Sequence, residues 1–186
     1  MSGTETGRVT SADGTSVVFD RSGKGPAVIL VHGAFTGRAH PTLSEVAATL
    51  ARWCTVFNYD RRGRGDSGDT QPYAVKREVE DLAALVEMAG GSAMVFGGSS
   101  GAGLVLRAAP QNLAISKLAV WEPPFHVDDS APRLPRDFAA QLDALIRKGR
   151  RADAVELFMV EAAEVPAEAV TAMRLQPSCG APTSAS

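Results

Sequence analysis

The stretch Gly97-Gly98-Ser99-Ser100-Gly101 sets two adjacent hydroxyls among glycines, between the apolar runs 93–96 and 104–106. It satisfies G-x-S-x-G and stands between a strand pattern and a helix pattern, which is the context that a nucleophile elbow requires. A turn this sharp holds its central residue, Ser99, under backbone strain and lifts its hydroxyl to the start of the following helix. Amides and dipole at a helix N-terminus favour a developing oxyanion, so the chemistry suggested is acyl transfer. The plain alternative is a Gly/Ser turn that joins strand to helix, with neither serine reactive. A phosphate-cradling loop fits less well: no Lys follows the glycines as Walker A demands, and G-x-G-x-x-G does not match in register.

Two further turns fall at the same ends of their strands, where ligands sit in open parallel sheets. Val31-His32-Gly33-Ala34-Phe35 closes the first buried strand. Beside an elbow, such a loop supplies a backbone oxyanion donor, here the amide of Ala34, with the amide of Ser100 as the other. His32 reads as a brace for its own loop rather than as a base. Tyr59-Asp60-Arg61-Arg62-Gly63-Arg64-Gly65-Asp66-Ser67 contains an Arg-Gly-Asp triplet. Its reading is structural: three Arg and two Asp pair and pin a glycine-rich loop beside the site.

The elements that must position these turns follow from periodicity. Residues 15–20 read as a short strand, and residues 27–31 as a continuous β-branched run buried on both faces. A helix opens at Pro41, residues 55–59 form a strand, and Val75, Val79, Leu82, Val86 and Ala89 stripe an amphipathic helix that Gly90-Gly91 closes. Residues 93–96 and 118–121 supply further strands around a helix over 100–109. Alternating strand and helix implies an α/β fold with a mostly parallel sheet and helices on both faces. From Arg136 to Arg174 the pattern is helical only, with stripes at Phe138, Leu142, Leu145 and Ile146, then Val155, Phe158 and Met159. Val165-Pro166 opens a third short helix. The expected organisation is a core over 1–125, a helical cap segment over 126–175 and a disordered tail over 176–186.

VHGAF, YDRRGRGDSG, REVEDLAALVEMAGG, VFGGSSGAG and LAVWEPPF follow one another in the order and register of the alpha/beta-hydrolase superfamily, which the chain resembles over roughly residues 10–175. The resemblance implies the alpha/beta-hydrolase fold, with a helical cap after the sixth strand. It carries over Ser99 as nucleophile and the amides of Ala34 and Ser100 as the oxyanion hole, and implies a serine hydrolase acting on a small ester or related acyl substrate. No cofactor is implied. The family's base is a His after the last strand and its acid precedes it, in the order Ser, Asp or Glu, His. This sequence holds three histidines, His32, His40 and His126, and none follows the cap. The expectation is therefore a truncated or frame-shifted chain, lacking the last two strands and crippled in catalysis. His126, oriented by Asp128 or Asp129, and Glu122 are the substitutes at hand, although an exposed hinge histidine is the simpler reading of His126. The rival function is a non-catalytic remnant or binding module that needs a partner to complete the fold. In either case the strand at 118–121 is expected to be an exposed apolar edge.

Composition bounds the rest. A chain of 186 residues fits one domain with a sizeable core. Lys+Arg 19 against Asp+Glu 21 gives a net charge of -2, with no basic excess for nucleic acid and no charge block for a membrane surface. No apolar run nears the roughly 20 residues of a membrane span, and the N-terminus lacks the apolar segment of a signal peptide. Cys54 and Cys179 form no metal-ligand pattern, so no metal site and a cytoplasmic setting are expected.

Overall fold

The computed structural model describes residues 3–128 and 133–175, so the tail expected over 176–186 and the candidate orienting residue Asp129 lie outside the described residues. The chain divides into two compact units, Met1–Phe125 and His126–Ser186.

The first unit is a six-stranded sheet in the order β1-β2-β4-β3-β5-β6. Its strands are β1 (Glu5–Thr10), β2 (Ser16–Ser22), β3 (Ala27–Val31), β4 (Thr55–Tyr59), β5 (Ala93–Gly98) and β6 (Ile115–Trp121). Strands β4, β3, β5 and β6 run parallel, while β1 and β2 are antiparallel additions at one side. Helices α1 (Pro41–Leu50), α2 (Val75–Met88) and α3 (Ser100–Ala108) connect the parallel strands.

The continuous apolar run of β3 is explained by its position between β4 and β5, covered on both faces. Ile29 and Val31 pack with Phe57, Val95 and the α2 and α3 residues Val79, Leu82, Leu85, Leu104 and Val105. Val28 and Leu30 face the other way, with Val56 and the α1 residues Leu43 and Ala47. Period-two alternation thus serves two helical layers rather than one layer and solvent. The fold is that of the alpha/beta hydrolases, as the family resemblance implied.

Strand β1 has no counterpart among the sequence expectations. Its burial alternates, with Arg8 and Thr10 exposed and Val9 packed against the core, and it pairs with β2 from Thr10↔Ser16 to Glu5↔Arg21. One apolar side chain gives a weak periodic signal. The Asp13-Gly14 pair in the connection, with Gly14 at φ 85°, was the local mark of a hairpin.

Helix α2 also differs from its expected stripe. Val75 is 41% exposed, whereas Glu78 and Asp81 are buried at 3% and 1%. The buried face therefore includes two carboxylates, and these have arginine partners described below. Strand β6 is an edge among the described residues, and Leu118, Val120 and Trp121 are exposed along it.

Among the described residues the second unit holds three helices, α4 (Phe138–Arg147), α5 (Arg151–Glu161) and α6 (Ala167–Leu175). Among the described residues Phe138, Ala154 and Val170 are its buried apolar side chains, while Ile146 and Val155, both placed in the expected stripes, are exposed. Arg174 ties α6 to α5 through Asp153 and Glu156, at 2.9 and 2.6 Å.

Candidate active site

Ser99 lies between β5 and α3 at φ 52° and ψ -122°, a left-handed conformation that L-residues seldom adopt. Holding a non-glycine residue there costs on the order of 1–3 kcal/mol, and persists only where neighbouring structure dictates it. The dictating contacts are visible. Ser99 N donates to Trp121 O of β6 at 2.9 Å, and Ser99 O accepts from Ala102 N at 2.9 Å. A Cβ on Gly97 would meet Gly101 O at 2.7 Å and Ala102 Cα at 2.8 Å, so strand and helix meet at backbone contact. The glycines permit the turn, and the turn exposes Ser99.

The loop after β3 comes to the same place. A Cβ on Gly33 would lie 3.1 Å from Ser99 Cβ and 3.7 Å from Ser99 Oγ. The next residue is Ala34, and its amide, like that of Ser100, donates no hydrogen bond among the described residues. Ser100 is the first residue of α3, where an amide has no intrahelical acceptor. The fold thus brings Ser99, Ala34 and Ser100 together at the carboxyl ends of β3 and β5.

Glu122 follows Trp121 at the end of β6, exposed and at φ 46°. Trp121 is opposite Gly98 in the β5–β6 register, so Glu122 is beside the elbow strand. His126, the first residue of the second unit, is exposed, and so is Asp128. Among the described residues of the first unit no side chain hydrogen-bonds the Ser99 hydroxyl.

His32 is fully buried, with Nε2 2.6 Å from Asn58 Oδ1. Asn58 Nδ2 donates to Arg38 O, which turns Oδ1 toward the imidazole, so Nε2 carries the proton. Burial, only partly opposed by the Asn58 hydrogen bond, lowers its pKa and keeps the ring neutral. His32 is a brace beneath the Gly33-Ala34 loop.

The arginines of the β4–α2 loop do pin that loop, but not by pairing with its own aspartates. Arg61 grips Glu78 of α2 at 2.5 and 2.7 Å and also donates to His32 O at 3.0 Å and Ser100 Oγ at 3.1 Å. Tyr73 Oη completes the Glu78 shell at 2.7 Å. Burial alone would raise the Glu78 carboxyl, yet the Arg61 contacts outweigh it and hold the pKa below the ordinary value. Burial and the bond to Glu78 push the Tyr73 phenol up to about 12. Arg62 pairs with Asp81 at 2.7 Å and Asp13 at 2.8 Å, and Asp60 pairs with Arg38 at 2.9 Å. Arg38 also bonds Asp66 and Asp20. Arg64 donates to Gly33 O, and to Thr36 O at 3.3 Å. The sequence signal for these ties was present in α2, where Glu78 and Asp81 interrupt an apolar face three residues apart, a spacing that puts both toward the core.

No group of His, Cys, Asp and Glu among the described residues could hold a metal ion. No described helix is long and apolar enough to cross a membrane.

Ser99 thus stands exposed in a strained strand-to-helix turn on a mostly parallel sheet, beside a glycine loop whose Ala34 amide has no partner among the described residues. The sequence model of the alpha/beta hydrolase family matches residues 28–185, and the chain belongs to that family. It is similar to an alpha/beta hydrolase from Sphaerobacter thermophilus DSM 20745, with 56% identity and a TM-score of 0.85, over 92% of this chain and 66% of that one. It is 37% identical over 93 residues to the uncharacterized hydrolase YraK of Bacillus subtilis strain 168, covering 48% of this chain and 34% of that protein. The esterase RhEst1 from Rhodococcus sp. ECU1013 shares the fold at 18% identity and a TM-score of 0.62, over 90% of this chain and 66% of RhEst1. The chain thus spans about two thirds of the Sphaerobacter hydrolase and of RhEst1, and its match to YraK spans about a third.

Proposed function

We propose that this protein is a serine hydrolase acting on a small ester or related acyl substrate. Ser99 Oγ attacks the substrate carbonyl, and the amides of Ala34 and Ser100 stabilise the tetrahedral oxyanion. The alcohol leaves with a proton, and water then cleaves the acyl-serine ester to release the acid. No cofactor takes part, and the setting is cytoplasmic. The observation that carries this reading is Ser99 itself: exposed, at φ 52°, with its hydroxyl against Gly33. Strain of that kind at an exposed serine is consistent with a functional turn and has no role in packing.

A serine hydroxyl needs a base, and the candidates in this chain are His126 and Glu122. With the base weak or wanting, turnover falls toward the residual catalysis of oxyanion hole and binding. Treating the purified protein with a fluorophosphonate tests the reading. Labelling of the parent that disappears in Ser99→Ala supports it, and slower labelling in His126→Ala or Glu122→Gln identifies the base. No labelling of the parent at millimolar probe would sink the nucleophile assignment.

The exposed row on β6 favours a second reading. An edge strand with Leu118, Val120 and Trp121 uncovered suits a binding module whose sheet is completed by a partner. On that reading the protein is inert alone, and a partner chain that protects the β6 amides from hydrogen exchange restores labelling.

A further inference from the structure

The proposed oxyanion donor Ala34 shares a peptide group with Gly33, and Gly33 O is doubly engaged. It accepts from Arg64 Nη1 and from Thr36 Oγ1 at 3.3 Å. The Gly33–Ala34 bond is trans, the cis peptide among the described residues being Gln71-Pro72. In a trans peptide, carbonyl and amide point in opposite directions. A donor that fixes Gly33 O therefore fixes the Ala34 N–H on the far side of the same plane.

Arg64 differs from its neighbours in the loop. Arg61 and Arg62 are neutralised by Glu78 and Asp81. Among the described residues no carboxylate lies within ion-pair distance of Arg64, whose bonds go to the carbonyls of Gly33 and Thr36. It is only partly exposed, and a cation kept from water without an acid partner has a cost that ordinary loop pinning would not require. Its charge acts on the Gly33–Ala34 peptide, whose amide faces away from it, as well as on the Thr36 carbonyl. A charged donor on a carbonyl draws electron density from the amide nitrogen, which makes the N–H a stronger donor.

We propose that Arg64 is a positioning residue for the oxyanion hole, orienting and polarising the Gly33–Ala34 peptide so that the Ala34 amide is held ready for negative charge. Arg61 plays the companion part for the other donor, since it ties His32 O to the Ser100 hydroxyl. The proposal rests on the oxyanion assignment of Ala34 for its function, but its physical content can be read without turnover.

The test combines backbone-assigned NMR with fluorophosphonate labelling of the full chain. In Arg64→Met, the Gly33 carbonyl carbon and the Ala34 amide resonances are expected to move together, while resonances of β1 and α1 stay in place. Labelling at Ser99 is expected to slow about tenfold, less than the loss of an entire oxyanion donor. Arg64→Lys, which keeps the charge but not the planar fork, is expected to move the same resonances less and to recover part of the labelling rate. Gly33 and Ala34 resonances unmoved in a folded Arg64→Met overturn the proposal. Should that variant fail to fold, unmoved resonances in Arg64→Lys overturn it equally. A parent chain that does not label at Ser99 defeats the hydrolase reading, and the NMR comparison still decides whether Arg64 governs this peptide.

Discussion

Gly101 stands so close to Val31 that a Cβ on it would lie 2.3 Å from Val31 O, and 2.7 Å from His32 O. The first turn of α3 is therefore laid on the backbone of β3, and this contact sets the separation between the elbow and the Gly33-Ala34 loop. Gly101→Ala must push helix and strand apart, since neither obstacle is a side chain that can swing away. Overpacking of this kind costs about 1–3 kcal/mol. A fall of that size in urea-unfolding free energy, with a larger proportional loss of Ser99 labelling, is the expected outcome. An unchanged labelling rate would show that the spacing does not matter.

Ser99 gives the opposite trade. Its conformation costs energy, its side chain is exposed, and no hydrogen bond from the described residues of the first unit rewards the hydroxyl. Glycine at this position relieves the strain at some entropic expense in the unfolded chain. Ser99→Gly is expected to raise stability by about 1 kcal/mol while abolishing labelling. A destabilised Ser99→Gly would mean that the serine side chain supports the turn.

The parts of this arrangement that were legible from sequence are those written in local pattern. β3 reads as a buried strand because all five of its residues are apolar. The elbow reads as a turn because glycines flank Ser99 where side chains would collide. The arginine ties were legible only as a tendency. Whether Arg61 meets Asp60 beside it or Glu78 seventeen residues on is decided by how α2 docks, and no periodicity contains that. Likewise β1 escaped because its one apolar side chain, Val9, leaves no periodic signal, and its strand is evident only in its pairing with β2. Val75 was misplaced for a simpler reason, since the first turn of a helix can project beyond the sheet that the rest of the helix covers.

The Arg61–Glu78 pair should show the asymmetry of buried ion pairs. Both side chains are nearly inaccessible, at 6% and 4% exposure. Breaking such a pair from one side strands the other charge, at a cost of about 3–5 kcal/mol, whereas replacing both can be nearly neutral. Glu78→Gln is therefore expected to be strongly destabilising, and Arg61→Met with Glu78→Leu much less so. Urea denaturation of both variants checks this. A double replacement as damaging as the single one would show that the bonds to His32 O and Ser100 Oγ, rather than the charges, stabilise the loop.

His32 gives the pH dependence. Its pKa is lowered by burial, so on unfolding the imidazole gains affinity for a proton that the native state refuses. The unfolded chain then binds more protons below its own pKa of about 6.5, and stability rises with pH across that range. Stability from this group is complete above about pH 6.5 and is lost as pH falls from there to the lower native value. Carboxylates such as Glu78, also lowered in the native state, add their own loss only nearer their unfolded value of about 4. Between about pH 5.5 and 7.5 the slope therefore belongs largely to His32. Urea midpoints should fall toward the acid end of that window in the parent and stay nearly level in His32→Gln, whose amide can still donate to Asn58. An equal slope in both proteins would assign the titration to another group and leave His32 without its role as the neutral brace beneath Gly33.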